Sequence, residues 1–325
     1  MPRGRCTVGA MELPVRQQDI LEAHARIASH IRHTPAWTLG PGAFGCAGSV
    51  CLKLEAMQHA GSFKPRGAFN TLLSAPTPPA LVAAASGGNH GAAVAYAAQK
   101  LGLRARIFVP EISSPAKLAL IREAGAEVVV GGARYADAQA ACDRFVEESG
   151  ALPVHPFEGV TTIAGQGTVA LEWEQDAALD TVLVASGGGG LAAGLAAWWR
   201  RRVRVVAVEP EGSRALHAAL EAGRPVEVPV ESVAADSLGA SSAGVLVHAI
   251  AREAIDHVAL VRDEAITAAQ RTLWRELRIA VEAGGAAALG ALLSGAYRPA
   301  AGERVGVLVC GANVELAQLA RLVAS

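Results

Sequence analysis

Four short apolar runs punctuate the C-terminal half of the chain: TVLVA (181–185), VRVVAVE (203–209), HVALV (257–261) and RVGVLVC (304–310). Such runs show little polar alternation, so the strands they form need cover on both faces. Helix-length segments at 191–199, 263–277 and 284–294 lie between them. Short apolar strands alternating with helices give parallel sheets layered between helices. The N-terminal half keeps the same rhythm. Strands are expected in VCLKLE (50–55), LVAAA (81–85), RIFVP (106–110) and AEVVVGG (126–132). Helices are expected at 17–33, at 65–73, from SGGNHG through Gln99, from Ser114–Pro115 onward and at 135–148. Thr34–Pro35 ends the first helix, and Pro65 suits a first helical turn because no amide bond is lost there. Few elements are legible between 150 and 180, so LPVHPFEG is expected to lie in a crossing between two α/β units. The fold class is therefore α/β, with two domains built on mostly parallel open sheets.

A chain of 325 residues, 51% hydrophobic and 18% charged, can bury cores for two domains that share a cleft. A net charge of −1 leaves no general footprint for nucleic acid or an anionic membrane. RRVR (201–204) reads as a solvated strand edge. The stretch 181–199 approaches membrane-spanning length but contains four consecutive glycines, so a strand, a loop and a helix describe it better. Cysteines at 6, 46, 51, 142 and 310 form no CxxC pair, which points away from a disulfide framework and toward a reducing cytoplasm. The segment MPRGRCTVGAMELPV lacks the apolar centre of a secretory signal, and Met11 offers an alternative start.

In sheets of this kind, ligands sit beyond the carboxyl ends of the strands. The run 181–185 is followed by Ser186, by Gly187, Gly188, Gly189 and Gly190, and then by a helix. Glycine amides ahead of a helix N-terminus suit a phosphate. The spacing is neither GxGxxG nor GxxxxGK[ST]. The run 81–85 leads into Ser86, Gly87, Gly88, Asn89 and His90, whose amides could hold a carboxylate while Asn89 donates to a ring oxygen. A locally capped Asn/His turn is the alternative. Cys310 opens CGAN as either an apolar filler or a weak S–H donor toward a ligand. Lys64, in GSFKPRGAFN, is either a solvated lysine ahead of a helix or a nucleophile. The second role needs a free amine, which burial and a nearby positive group favour. Arg66 reads as one half of a solvated salt bridge. The nine histidines, His90 and His155 among them, show no metal-type spacing such as HExxH.

Six motifs occur in order: SFKPRGA (62–68), SGGNHG (86–91), AGQGT (164–168), GGGGL (187–191), VEAGGA (281–286) and CGAN (310–313). Together they resemble the fold-type II pyridoxal-phosphate enzymes with the tryptophan synthase β-like fold, specifically the serine/threonine dehydratase and serine racemase group, from about 20 to 320. The resemblance implies that Lys64 bonds the cofactor aldehyde as a Schiff base and that Phe63 lies against the pyridine ring. Asn89 would contact the ring hydroxyl, Gly187 to Gly190 and Leu191 would wrap the phosphate, Cys310 would stand beside the ring nitrogen, and Glu282 would form part of the wall. Ser86, Gly87, Gly88, Asn89 and His90 would clasp the substrate carboxylate. A small domain, 55–155, would be nested in a large one formed by 1–54 and 156–325, and the protein would be a cytoplasmic homodimer. The implied reaction removes water and ammonia from an L-β-hydroxy amino acid, threonine or serine first. Phenylserine or 3-hydroxyaspartate dehydration, serine racemisation, β-replacement and a non-catalytic binding role are the alternatives. Racemases carry a serine where this chain has Gly87, so weak racemisation is expected. Glu209 in VEPEGSRA matches the first acidic ligand of a racemase-type cation site, but Ala215 stands at the place of a second; a surface or loop-anchoring acid is the other reading. The ADG segment of the family reads here as Ala235–Asp236–Ser237, which leaves the side-chain preference open. The lack of an added regulatory domain after residue 320 fits an unregulated member.

Overall fold

The computed structural model describes residues 12–324. The leader and the alternative start at Met11 lie outside the described residues. In chain order the elements are α1 (Gln17–Ile27), β1 (Ala36–Leu39), β2 (Ser49–Lys53), α2 (Pro65–Leu73), β3 (Leu81–Ala85), α3 (Asn89–Lys100), β4 (Arg104–Val109) and α4 (Pro115–Glu123). They continue with β5 (Glu127–Val130), α5 (Tyr135–Ser149), β6 (Leu152–Pro153), α6 (Val160–Asp176), β7 (Thr181–Ala185), α7 (Gly190–Trp199), β8 (Arg204–Pro210) and α8 (Ala215–Ala222). The last are α9 (Ala235–Leu238), α10 (Val245–Ala254), β9 (His257–Val261), α11 (Asp263–Leu277), α12 (Ala283–Ser294), β10 (Arg304–Leu308) and α13 (Leu316–Ala324).

These strands form a six-stranded sheet, in the order β1-β2-β10-β7-β8-β9, and a four-stranded sheet, β5-β4-β3-β6. Every pairing is parallel except β1 with β2. The central strand β7 is buried along its whole length, with Val182 opposite Val205 and Thr181 opposite Val305. This is the burial that its unbroken apolar run requires. The large core gathers around it, with Trp173, Trp199, Leu183 and Leu289 inaccessible to solvent. The four-stranded sheet has its own two cores, one around Ile107, Val94 and Phe69, and one around Phe108, Ala138 and Cys142.

The segment 150–180 differs from expectation, because most of it is α6, a 17-residue helix. Thr162 through Trp173 are all buried, so the helix has no polar face to reveal its period. Gly165 and Gly167 let it approach its neighbours. A Cβ at Gly165 would lie 2.6 Å from the Arg66 carbonyl oxygen, and one at Gly167 would lie 2.9 Å from that of Gly194. The helix expected at 17–33 ends at Ile27, and turns occupy the approach to Thr34–Pro35. The edge strand β1, only four residues long and partly exposed, gave no sequence signal. Among the described residues no helix is long and apolar enough to cross a membrane.

Candidate active site

The three loops singled out in the sequence are linked through their neighbours: Asn89 meets Asn313, and α9 stands against both Gly88 and Gly187. Ser62 and Gly311 form an isolated antiparallel bridge, and Phe63 N donates to Cys310 O at 3.2 Å. That bridge sets Lys64 at the N-cap of α2, with Pro65 in its first turn. The chain has four lysines. Lys53 Nζ lies 2.7 Å from Glu172 and 3.0 Å from Asp176. Lys117 pairs with Asp236 and Glu282. Lys100 is exposed over the Tyr96 ring. Lys64 is half-buried and has no carboxylate in salt-bridge reach. Its Nζ donates to Pro156 O at 2.6 Å and lies 5.1 Å from the centre of the Phe63 ring. Burial of the amine, opposed by Glu282, pushes its pKa down to about 8.

Burial disfavours the charged forms of other groups around this amine as well. Burial pushes the Cys310 thiol up to about 12, and its Sγ lies 3.5 Å from Gly284 O. Burial pushes His90 down to about 3, and its Nε2 pairs with Val154 O at 2.8 Å. The His90 ring is therefore committed to backbone, and only the loop amide of this residue is open to a carboxylate role. His155, which has no metal-type spacing, accepts from Glu158 N at 2.9 Å through Nδ1. Asn89 Nδ2 donates to Glu282 Oε1, and Asn89 Oδ1 accepts from Asn313 Nδ2 at 2.8 Å. Glu282 caps α12, is buried, and has its pKa raised by burial against the opposing charge of Lys117.

The glycines have physical reasons. Gly189 takes φ 87°, a left-handed conformation, as the N-cap of α7. A Cβ at Gly188 would strike the Phe157 ring, and one at Gly187 would lie 2.9 Å from Leu238 Cα. The amides of Gly187 and Gly188 donate to no protein acceptor among the described residues. With the α7 terminus behind them they form a cradle for an anion. Gly190 and Leu191 are buried in the first turn of α7. In the other loop, Ser86 Oγ accepts from Gly88 N at 3.2 Å. A Cβ at Gly87 would overlap Ser113 Oγ and lie 2.6 Å from Ser113 Cβ. Ser113 Oγ, from the β4–α4 loop, thus fills the space a side chain at residue 87 would take, a juxtaposition with no local sequence signal.

Two readings need correction. Arg66 is not a solvated residue; it is fully buried, two residues after Lys64. Its guanidinium meets Glu55 at 2.6 and 2.8 Å and Glu172 at 3.1 Å, and Glu172 continues the chain of charges to Lys53. For Glu209 only the surface half of the reading fails, and the loop-anchoring half holds. Glu209 is buried and accepts from the amides of Leu216 and His217 at 2.9 Å, so it anchors the start of α8. Burial raises its pKa to about 8. His33, Glu172 and Asp176 are close enough to hold an ion, but Lys53 already bridges both carboxylates and Arg66 pairs with Glu172.

Comparison with known proteins bears on this arrangement. The profile of the family described as "Pyridoxal-phosphate dependent enzyme" matches residues 27–311. The chain belongs to the pyridoxal-phosphate dependent enzymes. Among curated relatives, phenylserine dehydratase of Ralstonia pickettii is 39% identical, over 91% of this chain and 93% of its own length. L-threonine ammonia-lyase of Geobacter sulfurreducens is 37% identical, over 82% of this chain and 68% of its own. Among solved structures, maize serine racemase superposes with a TM-score of 0.88 at 32% identity, covering 94% of this chain and 96% of its own. The serine racemase of Dictyostelium discoideum gives 0.85 at 32% identity, covering 93% and 99%. The fold is that of the fold-type II members of this family. The donor set fits the family's cofactor: an unpaired amine for its aldehyde and open glycine amides for its phosphate.

Proposed function

We propose that this enzyme converts an L-β-hydroxy amino acid, such as threonine, serine or phenylserine, into a 2-oxo acid and ammonia. The observation that carries the reading is Lys64: it alone of four lysines is shielded at least in part from solvent and without a carboxylate partner. An amine with a pKa near 8 is partly unprotonated at neutral pH and can act as a nucleophile and then as a base. Pyridoxal phosphate, when bound, supplies the electron sink for the α-carbon. In this reading Lys64 carries the α-proton, the amides of Gly87 to His90 orient the substrate carboxylate, and Gly187 to Leu191 hold the phosphate. Phe63 packs on the ring, and Asn89, fixed by Glu282 and Asn313, donates to its hydroxyl. Cys310 places no anion against the ring nitrogen, which favours elimination over amino transfer. Water leaves with the β-hydroxyl and is taken back on hydrolysis, so the balance is one 2-oxo acid and one ammonium per amino acid. The small domain is assigned to 55–155 and the large one to 1–54 and 156–325, with a cytoplasmic homodimer as the working assembly.

Serine racemisation is the second reading, favoured by the Ser113 hydroxyl beside Gly87. A panel of β-hydroxy amino acids, scored for 2-oxo acid and for the chirality of recovered serine, tests both. Release of 2-oxo acid from at least one L-substrate, with little D-serine, is expected. Rapid D-serine formation without 2-oxo acid, or turnover only with an added thiol, would overturn the dehydratase reading.

A further inference from the structure

Lys117 is the one buried charge on α4 among the described residues; Arg122 and Glu123 of the same helix are exposed. It projects from the layer of the four-stranded sheet onto two acids carried by the elements around the six-stranded one. Its Nζ lies 2.6 Å from Asp236 Oδ2 on α9 and 3.4 Å from Glu282 Oε2 at the start of α12. The other oxygen of Glu282 holds the Asn89 amide. Asp236 is also close to the asparagine loop through its backbone: a Cβ at Gly88 would lie 3.3 Å from Asp236 O. Ser237 Oγ, next in sequence, accepts from Gly284 N at 3.2 Å, which joins α9 to α12. One ammonium thus bridges three elements that frame the loop 86–90.

A lysine with 6% exposure costs free energy to bury as a cation, and Lys117 has two carboxylates, buried Glu282 and exposed Asp236, to offset that cost. Removing it leaves Glu282 buried with only Asn89 as partner, and frees α9 from α4. We propose that Lys117 is a positioning residue, a latch that holds α4, α9 and Glu282 closed over the asparagine loop and thereby fixes Asn89. It acts through Glu282 and Asp236, not on the reacting atoms. The inference rests on the proposed role of this loop in binding the substrate carboxylate and the cofactor ring.

The test uses Lys117→Met, Lys117→Arg and Asp236→Asn in the full chain. Hydrogen exchange is measured without added cofactor, and KM and kcat with pyridoxal phosphate present. Lys117→Met should speed exchange in 86–91 and 235–238. It should also raise KM for the amino acid roughly tenfold, with kcat changed less than about threefold. Lys117→Arg should restore most of both effects, and Asp236→Asn should reproduce a smaller part. A Lys117→Met protein with lower thermal stability but unchanged exchange in these segments and unchanged KM would overturn the latch. The exchange readout needs no turnover, so it decides the latch even if the panel of β-hydroxy amino acids fails.

Discussion

Two groups of buried ionisable side chains lie within a few residues of each other, and they have opposite electrostatic fates. In the first, Arg66, Glu55, Glu172 and Lys53 are buried together, each within ion-pair distance of an opposite charge. In the second, Cys310 and His90 are buried and Lys64 is half-buried, all three without an ionic partner, and desolvation drives each toward its neutral form. The comparison teaches that enclosure alone does not decide charge; pairing does. The paired group keeps its charges and ties α2, α6 and the segment before α2 together. The unpaired group is left chemically available. Arg66 and Lys64, two residues apart on one helical turn, take their separate roles from which neighbours reach them.

The largest effect that would break this contrast is at Lys64. Lys64→Ala should lower turnover by roughly a thousandfold or more while leaving thermal stability unchanged or higher, as removal of an unpaired enclosed amine implies. Retained activity would erase the distinction. Arg66→Met should do the reverse: it strands Glu55 and Glu172, and urea unfolding should show a loss of about 3–5 kcal/mol. A near-neutral result would mean that the pairs contribute no net stability.

The third test is pH dependence without cofactor. Burial lowers the Lys64 pKa from 10.5 to about 8, so between these values the unfolded chain binds more protons than the folded one. The penalty for enclosing the ammonium is full below about pH 8 and is relieved as pH rises toward 10.5. Stability should therefore gain up to about 3 kcal/mol over that window, less where water reaches the cleft, and Lys64→Met should lack the gain. The smallest effect is expected at Cys310. Cys310→Ser exchanges one neutral group for another, so kcat should change less than about threefold in steady-state assays.

Much of the fold was legible because the strands of both sheets are short apolar runs followed by turn residues, as in β7 with its four glycines. What escaped lacked a local pattern. α6 is buried all round, so its sequence has no amphipathic period. β1 is short and half exposed, and its partner is β2 only through tertiary pairing. The same division holds at the site. The two glycine-bearing loops stand out by their place after strands, whereas Lys64 and Cys310 are marked only by the family resemblance of the motifs that carry them. Ser113 and Lys117 do not, because their importance comes from residues far away in sequence: Gly87 for one, Asp236 and Glu282 for the other. Arg66 could not be assigned from sequence because its partners Glu55 and Glu172 lie on different elements, 117 residues apart (172 minus 55).

The central claim is that the unpaired amine, not any of the paired or exposed ones, bonds the cofactor. Borohydride reduction of the protein loaded with pyridoxal phosphate, followed by mass mapping of its peptides, tests this directly. The account predicts one pyridoxyl group, on Lys64. A stoichiometric adduct on Lys53, Lys100 or Lys117, or no reducible adduct at all, would contradict it.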